Sequence, residues 1–142
     1  MNLWSLAREY ETTRVWVLPS ETFTQCIIEA ARFYLAYGEI ASLNPASVPA
    51  PAPVNASIPS GFAGQDMGGI TEATVLTTGE WAIIKPLFTL YVERESAMHL
   101  EASRGLGVDV YGRSVAEVQA DITQTEMETL PAKSFVHDMI EV

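Results

Sequence analysis

Apolar side chains recur at helical spacing through the first part of the chain and predict two helices. The first helix is short and has a single apolar face, formed by Leu3, Leu6, Ala7 and Tyr10. The hydroxyl of Ser20 is placed to cap the second helix, and Gly38 is placed to end it in the left-handed conformation. The apolar stripe of the second helix consists of Phe23, Cys26, Ile27, Ala30, Phe33, Tyr34 and Tyr37.

The longest helical pattern starts at a capping box formed by Thr77 and Glu80, in which each side chain satisfies a backbone amide of the other residue. The pattern continues to Gly105, which gives a helix of roughly 40 Å at about 1.5 Å per residue. Pro86 predicts a kink, because its ring clashes with the carbonyl four residues before it. The apolar positions of this helix are Ile84, Leu87, Phe88, Tyr91, Met98 and Ala102.

A second capping box, Ser114 with Glu117, predicts one more helix, which Leu130 and Pro131 are expected to end. Its apolar face is formed by Val115, Val118 and Ile122. Residues 131–142 are predicted to protrude as a C-terminal docking tail, either as a small helix or as a strand given to a neighbour. The apolar residues with which this tail would bind a partner are Phe135, Val136, Met139 and Ile140.

Residues 44–69 interrupt the helical pattern with five prolines and four glycines. Such a composition cannot sustain a helix, so it predicts a long Pro/Ala-rich loop. Weak strand character in residues 15–18 and 70–76 leaves a short β-hairpin open as an alternative. The predicted fold is therefore mainly α: residues 1–142 form one small helical bundle with one long kinked helix, the loop and the tail.

Composition limits the classes of partner. The formal charge of −10 disfavours gripping phosphates, because an acidic surface repels them. Cys26 is the only cysteine, so the chain has no internal disulfide. No apolar run approaches the length of a membrane helix, so no membrane partner is expected.

Searching the sequence for chemistry indicates no enzyme and no cofactor. His99 and His137 are the only histidines, and neither has further ligands at metal-binding spacing. Nucleophile-elbow and phosphate-loop motifs are absent, and the many carboxylates are typical of solvated helix faces. Catalytic, cofactor-binding and metal residues are therefore none. An enzyme with an unrecognised site stays open, and it would require a deep pocket holding a perturbed ionisable group.

Five segments, residues 76–87, 90–95, 100–104, 111–114 and 130–135, look like those of a tailed-phage virion structural protein. The overall plan is similar to that of head-to-tail connector (adaptor) proteins. The resemblance implies a homo-oligomeric ring, typically twelvefold, at the head–tail junction of the virion. Such a ring binds the portal protein and tail or collar proteins, and DNA passes through it without specific binding.

A closed ring needs two complementary faces on each subunit, and the charged long helix offers one of them. The expected inter-subunit residues are Glu93, Arg94, Glu95, Glu101 and Arg104. Trp81 is a further partner-binding candidate, because tryptophan is enriched at interfaces, although ordinary core packing competes with that interpretation. The alternative function is a regulatory or chaperone-like protein-binding module in the host cytoplasm, where a virion subunit would also be made.

Overall fold

The chain is mainly helical, as the sequence predicts. The computed structural model describes residues 1–13, 16–43, 69–105, 107 and 112–133. These described residues contain four α-helices: α1 Leu3–Glu11, α2 Ser20–Leu35, α3 Thr78–Arg104 and α4 Val115–Gln124. A 3-10 turn at Ala41–Leu43 follows α2, and a π-helical turn at Thr125–Thr129 follows α4. The predicted loop, except Gly69, and the predicted tail beyond Lys133 lie outside the described residues.

Helix α3 is the centre of the bundle. It packs against α2 on one side and α4 on the other, while α1 packs against α2. Burial of apolar side chains from all four helices supplies the main stabilising free energy of such a fold. The largest fully buried side chains include Leu3, Phe23, Ile27, Ile84, Leu87, Phe88, Val118 and Ile122.

The start of α2 differs from the prediction. Pro19 occupies the N-cap position without a side-chain cap, and Ser20 is the first helical residue. The Ser20 hydroxyl donates a hydrogen bond of 2.5 Å to the Glu11 carboxylate at the end of α1. A carboxylate accepts hydrogen bonds more strongly than a neutral group, so this contact with α1 takes the place of the predicted cap.

The predicted end of α3 at Gly105 is confirmed, whereas the left-handed conformation predicted for Gly38 is wrong. Gly105 is the C-cap of α3 with a φ of −60°, and Gly38 has no positive φ. Gly38 is needed for space instead, since a Cβ there would lie 2.6 Å from Cζ of the Tyr34 ring. Tyr34 is 6% exposed, so its ring has little freedom to move away.

Residues 69–77, which are extended apart from a turn at Glu72 and Ala73, run beside the beginning of the chain, and we call them the extended segment. The amide of Leu3 donates to the carbonyl of Thr74 at 3.0 Å, and that of Leu76 donates to the carbonyl of Met1 at 2.8 Å. Residues 16–18, the described part of the run 15–18, form no bridge with this segment. The alternative of a hairpin with that run is therefore wrong for the described residues. Pairing with the first residues instead buries Leu76, which is 2% exposed, in the same core as Leu3.

Both capping boxes are confirmed, whereas the predicted end of the last helix is wrong. The chain stays helical through Lys133, past Leu130 and Pro131. A proline removes an i→i−4 hydrogen bond from a regular helix, but the π-helical turn before Pro131 already uses i→i−5 bonds. Pro86 lies inside α3. The kink predicted there stays a prediction.

Candidate functional site: a central polar cluster and an apolar surface patch

A half-buried polar cluster joins three elements around Tyr91 of α3. The Tyr91 hydroxyl donates a 2.5 Å hydrogen bond to Glu126 in the π-helical turn. The guanidinium of Arg94 lies 5.1 Å from the centre of the Tyr91 ring, at a distance typical of a cation–π contact. Arg94 also contacts Glu95 at 3.3 Å and Glu29 of α2 at 3.8 Å. The cluster therefore fixes α2 and the π-helical turn to the central helix.

Two side chains in and beside this cluster, those of Tyr91 and Cys26, are held in their neutral forms. Burial, followed by the hydrogen bond to Glu126, raises the pKa of Tyr91, so the phenol stays a proton donor at neutral pH. Burial, followed by the negative charges of Glu95 and Glu29, raises the pKa of the Cys26 thiol to about 12. Only a thiolate is strongly nucleophilic. Cys26 is therefore a packing residue and not a nucleophile at neutral pH.

A second group of charges joins α3 to α4. Arg113 contacts Glu93 at 3.2 Å and also pairs with Asp121 of α4. The carboxylate of Glu101 accepts a hydrogen bond of 3.2 Å from the amide of Val115 at the start of α4. Glu93 and Glu101, like Arg94, thus make contacts within their own chain. Their predicted contribution to an inter-subunit contact stays a prediction, as does that of Glu95 and Arg104.

A shallow cavity lies between the last turns of α3 and the residues that lead into α4. Its volume is about 40 Å³, far below the several hundred Å³ typical of small-molecule sites. It has room for a few water molecules at most. The lining residues are Ala97, Leu100, Glu101, Arg104, Gly112, Arg113 and Ser114.

Three exposed apolar residues have neighbouring backbones where the extended segment meets α1. We define the N-terminal patch as Met1, Trp4 and Val75, which are 50%, 47% and 49% exposed. Hydrogen bonds hold their backbones side by side, since Asn2 and Val75 form an antiparallel bridge and the Trp4 amide donates to the Glu72 carbonyl at 3.1 Å. Arg8 lies 5.5 Å from the centre of the Trp4 ring. The patch is therefore apolar, rigidly held at its backbone and edged by charge.

The predicted partner-binding residues divide into two groups. Trp81 is partly buried against the core, and its ring centre lies 5.8 Å from that of Phe88. Its indole therefore contributes to packing between the first and third turns of α3. The tail residues Phe135, Val136, Met139 and Ile140 lie outside the described residues. The N-terminal patch was missed in the sequence, because Val75 joins it only through a long-range backbone contact.

The sequence predicts only one of the two hydrogen bonds that the Glu80 carboxylate accepts. Its Oε2 accepts the Thr77 amide at 2.7 Å, which completes the capping box, and its Oε1 accepts the Ala41 amide at 2.7 Å. Glu80 is 8% exposed, so its carboxylate is buried and has both oxygens satisfied. Nothing in the local sequence signals the contact with Ala41.

No protein family, curated protein or solved structure matches the chain. In the part of the chain that the structure describes, no group of three or more histidine, cysteine or acidic residues is arranged to hold a metal ion. Within the same residues, no helix combines the length and the apolar character needed to cross a bilayer.

Proposed function

We propose that this protein acts by binding other protein chains, as a subunit of the ring that joins the portal to the tail of a tailed bacteriophage. The observation that supports protein binding is the N-terminal patch. Trp and Met are enriched at protein interfaces, and Trp4 and Met1 expose about half of their surface beside the similarly exposed Val75. A rigid backbone beneath them lowers the entropy cost of binding, because less must be ordered on association.

The connector part of the proposal rests on the sequence resemblance over residues 76–135. The protein would form a ring, typically of twelve copies, at the head–tail junction, with the portal protein on one side and tail or collar proteins on the other. The formal charge of −10 suits a conduit through which DNA passes without being held. The cavity of about 40 Å³ offers no competing small-molecule site.

The connector proposal is tested by crosslinking mass spectrometry on purified particles from the source system. We expect crosslinks to a portal-like protein and, for a closed ring, about a dozen copies per particle. Absence from particles, with the chain found bound to one soluble partner, would overturn the connector proposal in favour of a regulatory or chaperone-like binding module.

The role of the patch is tested separately with a matched pair of variants. Trp4→Ser removes the largest side chain of the N-terminal patch, while Met98→Ser removes a side chain of α3 that is equally exposed, at 49% against 47% for Trp4. We expect Trp4→Ser to prevent incorporation into particles and Met98→Ser to leave it unchanged. Thermal unfolding of both variants checks that the loss is not a folding defect. Normal incorporation of a folded Trp4→Ser protein would show that the patch is not the binding surface.

A further inference from the structure

The π-helical turn after α4 determines which residue of the last helical stretch faces the core. Val118 and Ile122 of α4 and Leu130 after the turn are each 1% exposed. These three side chains therefore lie on one face of a helix that contains the Thr125–Thr129 turn. The arrangement is not the one that a regular α-helix would give.

In a regular α-helix each residue turns by about 100°, which would place Leu130 about 80° from Ile122 and about 120° from Val118. Thr129 would instead lie within about 20° of both and would face the core. A π-helical turn takes in one more residue, because its hydrogen bonds run from i to i−5, so it turns the following residues back by about 100°. In this register Leu130 reaches the core and Thr129 is only partly buried.

Two further contacts favour the same register. Glu126, inside the π-helical turn, accepts the hydrogen bond from Tyr91 of α3 at 2.5 Å. Pro131 directly follows Leu130. In a regular helix a proline at this position has no amide hydrogen for the i→i−4 bond, and its ring clashes with the carbonyl four residues before it. Side-chain burial, a hydrogen bond between elements and a proline therefore all select the wider turn.

We propose that the π-helical turn is a register lock that sets the orientation of residues 130–133 on the bundle. Burial of Leu130 drives the register, and the Tyr91–Glu126 hydrogen bond latches it to α3. In the alternative, regular register, Thr129 faces the core and residues 130–133 are rotated by about 100° around the helix axis. This inference does not depend on the connector proposal.

The test exchanges the two competing residues. In a Pro131→Ala background, the double substitution Thr129→Leu and Leu130→Thr places leucine where a regular helix needs it. Paired spin labels report the register: one at Lys133→Cys, the other at Glu9→Cys on α1 or Lys85→Cys on α3, with Cys26→Ala in every protein. Rotation by about 100° at the surface of a helix about 11 Å wide moves the point of attachment by about 8 Å.

We expect Pro131→Ala alone to keep both label distances, because Leu130 and the latch remain. The exchange variant should stay folded and change at least one of the two distances by several ångströms. Unchanged distances in a folded exchange variant would overturn the proposal, because the register would not follow the leucine. If the exchange variant unfolds, a second variant tests the proposal: deletion of Met127 in the Pro131→Ala background.

Met127 is 73% exposed, and its deletion removes the extra residue of the turn while retaining Leu130. The shortened protein should fold with a regular helix through Leu130, and its label should move mainly along the axis by about 1.5 Å. Loss of folding in this variant as well would also overturn the proposal, because regular α-helical phasing would then not substitute for the π-helical turn.

Discussion

Oε1 of Glu80 accepts the backbone amide of Ala41 at 2.7 Å, although 39 residues separate the two along the chain. Oε2 of the same carboxylate accepts the Thr77 amide, also at 2.7 Å. Ala41 follows α2 and Thr77 precedes α3, so one buried carboxylate holds both described segments that flank residues 44–68. The capping glutamate of α3 is thus also a long-range tie.

Replacing Glu80 by Gln should therefore cost more than removal of an ordinary helix cap. Gln has one oxygen and one NH₂ where Glu has two oxygens, so its NH₂ would face one of the two backbone amides. Two donors would then face each other, and the buried NH₂ would lack an acceptor. Such a loss costs about 1–3 kcal/mol. Thr77→Ala, which removes only the other half of the capping box, should cost about 1 kcal/mol. Urea unfolding measures both, and a smaller loss in Glu80→Gln than in Thr77→Ala would show that the tie to Ala41 contributes little.

Local features of the fold could be predicted from the sequence, because their causes lie within one or two helical turns. The apolar face of α1 and the boxes at Thr77 and Ser114 are such features. The pairing of Val75 with Asn2, the tie from Glu80 to Ala41 and the phase of Leu130 depend on residues that are distant in the chain or on the packing of a whole helix. No periodicity in a single sequence encodes them.

The candidate site divides in the same way. Trp81 was identifiable as a large aromatic residue in the first turn of α3, but its contact with Phe88 could be assigned only from the packed helix. The sequence predicts that charged residues of α3, Glu93 among them, lie at an inter-subunit contact, but it gives no sign that Arg113 lies next to Glu93 within the chain. The N-terminal patch forms only after the extended segment docks beside Trp4. Tertiary contacts, rather than residue types, define these surfaces.

Two glycines offer a matched test of packing against backbone freedom. Gly38→Ala would place a Cβ 2.6 Å from Cζ of the buried Tyr34, whereas the Cβ of Gly79→Ala, in the first turn of α3, meets nothing within 4 Å. We expect Gly38→Ala to lose about 1–3 kcal/mol through overpacking. Gly79→Ala should gain up to about 1 kcal/mol, because alanine loses less conformational entropy in a helix. Equal unfolding free energies for the two variants would contradict the packing role of Gly38.

The Cys26 thiol predicts a pH dependence of stability. Burial raises its pKa to about 12, whereas an unfolded cysteine loses its proton near pH 8.5. The contribution is fully present below the unfolded pKa and is lost as the pH rises toward the folded pKa, because between them the unfolded state binds fewer protons. Cys26→Ala should therefore lose stability less steeply than the native chain from pH 9 to 10, by at most about 1 kcal/mol per pH unit. Identical slopes in urea unfolding would contradict the raised pKa.

The same pKa predicts slow chemistry at the thiol. At pH 8 a pKa of about 12 lowers the thiolate fraction by about a thousandfold relative to an unfolded cysteine. Alkylation by iodoacetamide should therefore be at least that much slower in the folded protein than in urea. Mass spectrometry of the alkylated chain measures both rates. A folded protein that reacts at the unfolded rate would mean that Cys26 is neither buried nor held protonated.

The hydrogen bond from Tyr91 to Glu126 should contribute measurably to stability, because it is short and links α3 to the π-helical turn. Tyr91→Phe keeps the ring beneath Arg94 and removes only the hydroxyl, so the expected loss is about 1.5–3 kcal/mol, the range for hydrogen bonds to charged groups. Tyr37→Phe is the matched control, since Tyr37 is 39% exposed and removal of a surface hydroxyl costs little stability.

Glu126→Gln should lose less than Tyr91→Phe, because its amide oxygen still accepts from the phenol. The double variant should then lose little more than Tyr91→Phe alone, since both substitutions act on one bond. Additive losses in this cycle would mean that the two side chains stabilise the fold independently, and that their proximity is not what holds the turn to α3.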